Sequence, residues 1–96
     1  MTTSDKARDL LRTSLSGYQS GQIALGRLVE DVDAIWRDAA PGAWRDEVRG
    51  QWWTLEQVYS AALDQGVADE LPADFVVILT EALDGLAVLA TVRDRP

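Results

Sequence analysis

WRDEVRGQWWTLEQVY, residues 44 to 59, carries three of the chain's four tryptophans and decides how the rest is read. Trp44, Val48, Trp52, Leu55, Tyr59 and, just beyond, Ala62 recur at steps of three and four. That spacing lays them along one stripe of a helix, the face turned toward a core. Trp53 breaks the pattern. At about 100° per residue it lies roughly 160° from Leu55, on the face that carries Asp46, Arg49, Ser60 and Asp64. A large indole in the middle of a polar face is the sharpest functional clue in the sequence.

Working outward, the same helix is expected over about 43–65. Pro41-Gly42 stands before it, Asp46 and Glu47 lie in its first turn, and Gly66 follows as the left-handed closing residue. Gly50 inside it reads as a place where a neighbouring helix approaches closely. Toward the N-terminus a helix over about 22–40 is expected. Its core stripe is Ala24, Leu25, Leu28, Val32, Ile35 and Ala39, widened by Val29 and Trp36, with Glu30, Asp33 and Arg37 opposite. Trp36 reads as a core-edge residue. Proline at 41 ends this helix, because it disfavours helical geometry at Ala40 and has no N–H to continue the ladder.

The first helix is expected over about 5–19, with Ser4 as N-cap and Ala7, Leu11, Ser14, Leu15 and Tyr18 facing inward. Ser20-Gly21 is a tight break. The fourth helix is expected over about 72–92, opened by Pro72. Phe75, Leu79, Ala82, Leu83, Leu86 and Ala90 face inward, and Val77 and Val88 lie on its far side with Glu81 and Asp84. Four amphipathic helices joined by short connections predict one all-α domain over 1–96, an antiparallel four-helix bundle.

Composition narrows the chemistry. The 96 residues are 47% hydrophobic, enough for one core and too apolar for disorder. Neither cysteine nor histidine occurs, which removes disulfides, thiol nucleophiles, the usual zinc ligand sets and histidine acid–base catalysis. There is no glycine-rich phosphate loop. Glu30-Asp31-x-Asp33 splays around a helix and lacks the loop of a calcium-binding hand, so it reads as a solvated face. No carboxylate falls on an inner stripe, where burial would raise its pKa. The expectation is a protein with no catalytic residues, cofactor or metal. Its N-terminus has no apolar signal segment and its longest apolar run, Phe75 to Leu79, is far too short to span a bilayer, so a cytoplasmic location is expected. Eight arginines to one lysine suggest a high-GC bacterial genome.

Net charge is −7, and its distribution is uneven. Residues 1–49 hold eight acids and seven bases, while residues 50–92 hold seven acids and no base. A one-sign acidic surface repels nucleic acid and anionic membranes and attracts cationic proteins. It also simply keeps a small protein dispersed. No basic patch or basic–aromatic face is legible. The expected partner-binding set is therefore Trp53 as anchor, rimmed by Asp46, Glu56, Asp64, Asp69, Glu70 and Asp74. Several states of Trp53 remain open: covered by a cationic protein partner, covered by a second copy in a homodimer, covered by the chain itself, or simply exposed.

The joint Tyr18-Gln19-Ser20-Gly21-Gln22-Ile23 resembles the Y-x-S-G-x-I joint of small bacterial immunity proteins of the colicin D type. The order of helices, the size and the acidity are similar over most of the chain. Leu25 or Leu28 stands where that family's pattern has a phenylalanine a few residues after the joint. The resemblance implies a small helical bundle that blocks a basic nuclease toxin, its acids occupying the groove meant for the RNA backbone. Two other readings stand beside it. One is a homo-oligomerising adaptor that uses Trp53 or the Val77/Val88 face. The other is a small secreted helical-hairpin substrate of a bacterial export system, which the missing Trp-x-Gly turn disfavours, since Gly42-Ala43-Trp44 has the reverse order.

Overall fold

A computed structural model of the chain describes residues 3–66 and 71–91. It contains four helices, α1 (Thr3–Gln19), α2 (Leu25–Asp38), α3 (Ala43–Gln65) and α4 (Ala73–Thr91). Each packs on its neighbours in the chain and α4 closes back onto α1, while the diagonal pairs make no backbone approach. This is the all-α four-helix bundle that the periodicity predicts. Leu11, Leu28, Val32, Val48, Leu55 and Leu86 are completely enclosed, so every helix contributes to one core. Truncating any of the enclosed leucines to alanine would cost about 3–5 kcal/mol, the price of a cavity that cannot collapse.

α3 has the expected bounds because its punctuation is strong. Gly42 and Gly66 both sit at positive φ, and Gly66 closes the helix in the left-handed region at φ 71°. The other boundaries move. α1 begins at Thr3, so Ser4 lies inside the helix rather than capping it. α2 is shorter at both ends than expected. After Gln19 the chain turns at Gly21 (φ 82°), with the Gly21 N–H donating to Tyr18 O and the Gln22 N–H to Gly17 O, at 3.1 and 2.8 Å. This paired pattern is a Schellman closure. Ile23 then folds back over Gly17 and packs on the core, so α2 starts only at Leu25 and Ala24 is exposed. At the other end Ala39 is already extended (ψ 153°), one residue earlier than the proline rule alone requires. In α4, Pro72 stands just outside the helix with its carbonyl accepting the Val76 N–H, and Val92 lies outside the described residues.

Val58 and Leu89 are buried although neither was on an expected stripe. Each helix touches two neighbours, so its apolar face is wider than a single a/d seam. Gly50 is also a correction. Nothing lies within 4 Å of where its Cβ would be, so no helix approaches there. The close approaches are at Gly26, where a Cβ would sit 2.6 Å from the Tyr59 hydroxyl, and at Gly85, where one would sit 2.6 Å from Gln51 Nε2.

That Gly26–Tyr59 contact also sets the axial register. α2 begins level with Tyr59, so α3 from Ser60 to Gln65 continues for roughly 9 Å past the top of α2 at 1.5 Å per residue. On the opposite flank, Arg12 bonds to Ala90 O. Counting antiparallel from there, the first turn or two of α4 lies beyond the end of α1. The long dimension is 45 Å against cross-sections of 23 and 19 Å. The bundle is four helices deep at its base and tapers to the α3–α4 hairpin at its other end.

Gly50→Ala should raise stability by up to about 1 kcal/mol, because alanine is the better residue at an open helical site. Gly26→Ala should lower it by about 1 kcal/mol or more, because the half-buried Tyr59 ring must shift. Urea unfolding followed by circular dichroism reads both signs.

Candidate protein-binding surface

Trp53 is 57% exposed, and none of the described elements covers it. The helical stripe explains why: Val48, Leu55, Val58 and Ala62 are buried on one side of α3, and Trp53 points the other way. It is not isolated. Its ring lies 6.2 Å from Trp52, and Trp52 lies 5.6 Å from Trp36, both pairs tilted. The three indoles form a ladder from the edge of the core to solvent. Each tilted pair adds about 0.5–1.5 kcal/mol beyond the area it buries.

Trp36 does sit at the core edge, and it carries more than was expected of it. The guanidinium groups of Arg37, Arg45 and Arg49 lie 4.9, 5.5 and 5.4 Å from its ring centroid. Arg37 also pairs with Asp33 at 2.8 Å. Arg45 donates through Nε to Trp36 O at 2.9 Å, satisfying a carbonyl in the last turn of α2. Arg45 and Arg49 make no ion pair among the described residues. A basic–aromatic cluster therefore exists, contrary to the reading of the sequence. It is assembled across the α2–α3 turn from residues that no single helical stripe brings together. Arg45 and Arg49 at i, i+4, with Trp52 three further on, were the available signal.

Arg49 and Asp46 line a cleft of about 290 Å³ with Gly50, Trp52 and Trp53. Gly50 thus has a place after all, since its missing side chain leaves this cleft open. Glu56 is one turn beyond Trp53, half-buried, and accepts the Ser60 hydroxyl at 3.0 Å. Asp64 shares the face but lies eleven residues on, roughly 16 Å along the axis. Asp74 is exposed at the start of α4, at the hairpin end. Asp69 and Glu70 lie outside the described residues. The expected rim is therefore divided: Asp46 and Glu56 flank Trp53, and Asp64 and Asp74 belong to the far end of the hairpin.

A larger open groove, about 710 Å³, runs along α3 and α4 and is lined by Arg8, Trp44, Glu47, Gln51 and Val88 among others. Arg8 is only 4% exposed, lies 3.7 Å from Asp5 and stacks 5.3 Å over Trp44. Its burial was not foreseen. Of the Glu30–Asp33 acids, Asp31 accepts Arg27 Nε at 2.9 Å and the Ser14 hydroxyl at 3.1 Å, and Asp33 pairs with Arg37. That hydrogen bond, and then Asp31's charge, hold the Arg27 guanidinium protonated above its ordinary range. Burial raises the Tyr18 hydroxyl. No group of three or more potential metal ligands occurs among the described residues, and no helix there is long and apolar enough to cross a membrane. Comparison with protein-family models, curated proteins and solved structures finds no match for this chain.

Acrylamide should quench Trp53 most strongly. Trp53→Phe should remove the most accessible component of the emission and leave the fluorescence of Trp36, Trp44 and Trp52 shielded. Equal quenching of all four would mean that Trp53 is no more accessible than the other three.

Proposed function

We propose that this chain is a non-enzymatic protein-binding module that captures a cationic protein, in the manner of an immunity protein neutralising a basic, nuclease-like toxin. The single supporting observation is the exposure of Trp53 at the point where the chain turns uniformly acidic. An indole left in water is unfavourable by the area it exposes, and a partner that covers it recovers that free energy. Acids from Glu56 onward accelerate encounter with a cationic surface and make it salt-dependent, while the buried anchor sets the lifetime of the complex. The Ser20-Gly21 joint and the order of helices agree with the immunity-type resemblance, which further implies a bacterial, cytoplasmic protein.

A second reading is a homodimer through the same face. Asp46 and Arg49 line one cleft with Trp53, and a two-fold axis there would set Arg49 of each copy against Asp46 of the other.

The partner to try is a basic C-terminal domain encoded by the gene immediately upstream. Trp53→Ala should keep its helical signal and weaken that complex by about 2 kcal/mol, around 30-fold. Added salt should slow association more than it speeds dissociation. Loss of folding in Trp53→Ala would make the residue part of the core. Sedimentation that shifts with concentration, and is reversed by Trp53→Ala, would favour the homodimer.

A further inference from the structure

Gly50 lies in a gap that its neighbours on α3 frame. At about 100° per residue, Asp46 and Trp53 fall within roughly 20° of each other on the outer face, two turns apart. Gly50 lies on the turn between them, about 50° round the helix, and Glu47 stands about 60° further on the same side. Side chains lean toward the N-terminus of their helix, so the Trp53 indole leans back over the Gly50 turn toward Asp46. Nothing lies within 4 Å of where a Gly50 Cβ would be. The cleft of about 290 Å³ is therefore a notch, walled by the Trp52 and Trp53 indoles at 54° to each other and ended by the Asp46 carboxylate.

The charges at the notch identify what fits it. Asp46 and Glu47 are exposed, and among the described residues neither enters an ion pair. Arg49 also borders the cleft, but its guanidinium is drawn to the α2 side, 5.4 Å from the Trp36 ring centroid. On the other flank α4 carries no base between Ala73 and Thr91. An anion entering the notch would meet two carboxylates of its own sign. A cation meets indole rings that attract it through their quadrupoles, and Asp46 supplies the countercharge. A lysine ammonium is a point charge. An arginine guanidinium is a plane that stacks on an indole and offers a carboxylate two parallel N–H groups, so one group satisfies both ends of the notch.

We propose that the Gly50 notch is a receptor for one arginine side chain of a cationic protein partner, which stacks on Trp53 and pairs with Asp46. The inference rests on the reading of Trp53 as a protein-binding face, and it names what that face selects: a protruding arginine rather than a basic surface in general. Glu47 adds negative charge on the far side of the notch without touching the ring.

The test is an NMR titration of the free protein with the capped tripeptide acetyl-Gly-Arg-Gly-amide, and with its lysine and citrulline counterparts. The arginine peptide should shift the Trp53 indole N–H and the backbone amides of Asp46 and Gly50, and reach saturation. The lysine peptide should bind more weakly, and citrulline, which keeps the shape without the charge, should give no saturable shift. Asp46→Asn should weaken the arginine peptide up to about fivefold, as loss of one exposed ion pair does. Gly50→Leu should abolish binding and keep the helical signal, because the new side chain fills the notch and not the core. No saturable shift, binding by either control peptide equal to that of arginine, shifts centred on Arg37 and Arg45, or unaltered binding in Gly50→Leu would each overturn the proposal. So would self-association that Asp46→Asn reverses, which would give the notch to Arg49 of a second copy. The complex with the basic upstream domain keeps the two readings apart. If Trp53→Ala weakens it while Asp46→Asn and Gly50→Leu do not, the notch falls and the anchor stands; if none of the three weakens it, both fall.

Discussion

Every helix ends in carbonyls that no residue of that helix can satisfy, and at the base of this bundle the neighbouring helices supply the donors. The indole N–H of Trp44, from α3, donates to Leu89 O at 2.9 Å, and the Arg12 guanidinium, from α1, donates to Ala90 O at 3.0 Å. Arg45 does the same for Trp36 at the end of α2. Hydrogen bonds from charged donors contribute about 1.5–3 kcal/mol each, so two of these three are among the stronger ties in the molecule. They fix the relative heights of all four helices at one end. Because the helices differ in length, fixing one end makes the other uneven, and that is why α3 and α4 run on alone.

The same constraint sorts the charge. The five arginines that cap carbonyls or stack on Trp36 and Trp44 are held at the base, where Asp5, Asp9, Asp33, Asp38, Asp46 and Glu47 balance them. The acids without such company, Asp64, Asp74 and Glu81, lie toward the hairpin end. A chain with a net charge of −7 is thus close to neutral at its base and strongly negative toward its tip. Within the Debye length of about 8 Å at physiological salt, an approaching cationic protein senses the upper half of the molecule first. Trp53 stands at the border of the two regions, with Arg49 and Asp46 below it and Glu56 above.

The fold was legible where apolar spacing and chain punctuation agreed. α3 was found to the residue because Pro41-Gly42 and Gly66 bracket an unbroken stripe. α2 was misjudged because the Gly21 closure is followed by Ile23, an apolar residue that mimics the start of the next stripe while belonging to the turn. The outward direction of Trp53 was legible too, since azimuth follows from residue number alone. Axial distance was ignored in grouping its neighbours, and so Asp64 was counted into a rim it cannot reach. Arg8 and the Arg37–Arg45–Arg49 cluster were hidden for a different reason. Their surroundings are built from two helices at once, and periodicity within one helix carries no record of what the next one presents.

Trp53 and Gly50 together say more than either does separately. Glycine inside a helix costs about 0.5–1 kcal/mol relative to alanine, and no close contact at Gly50 requires it. The Trp53 indole contributes its tilted contact with Trp52 but leaves more than half of its surface in water. Gly50 and Trp53 occur within one turn of α3 and line the same cleft. Filling the cleft with a methyl group, or trimming the indole, would leave the bundle's core untouched, because Val48, Leu55, Val58 and Ala62 lie on the other side of α3. The combination of an unfavourable gap beside an unfavourable ring makes physical sense when something outside the chain enters the gap and covers the ring.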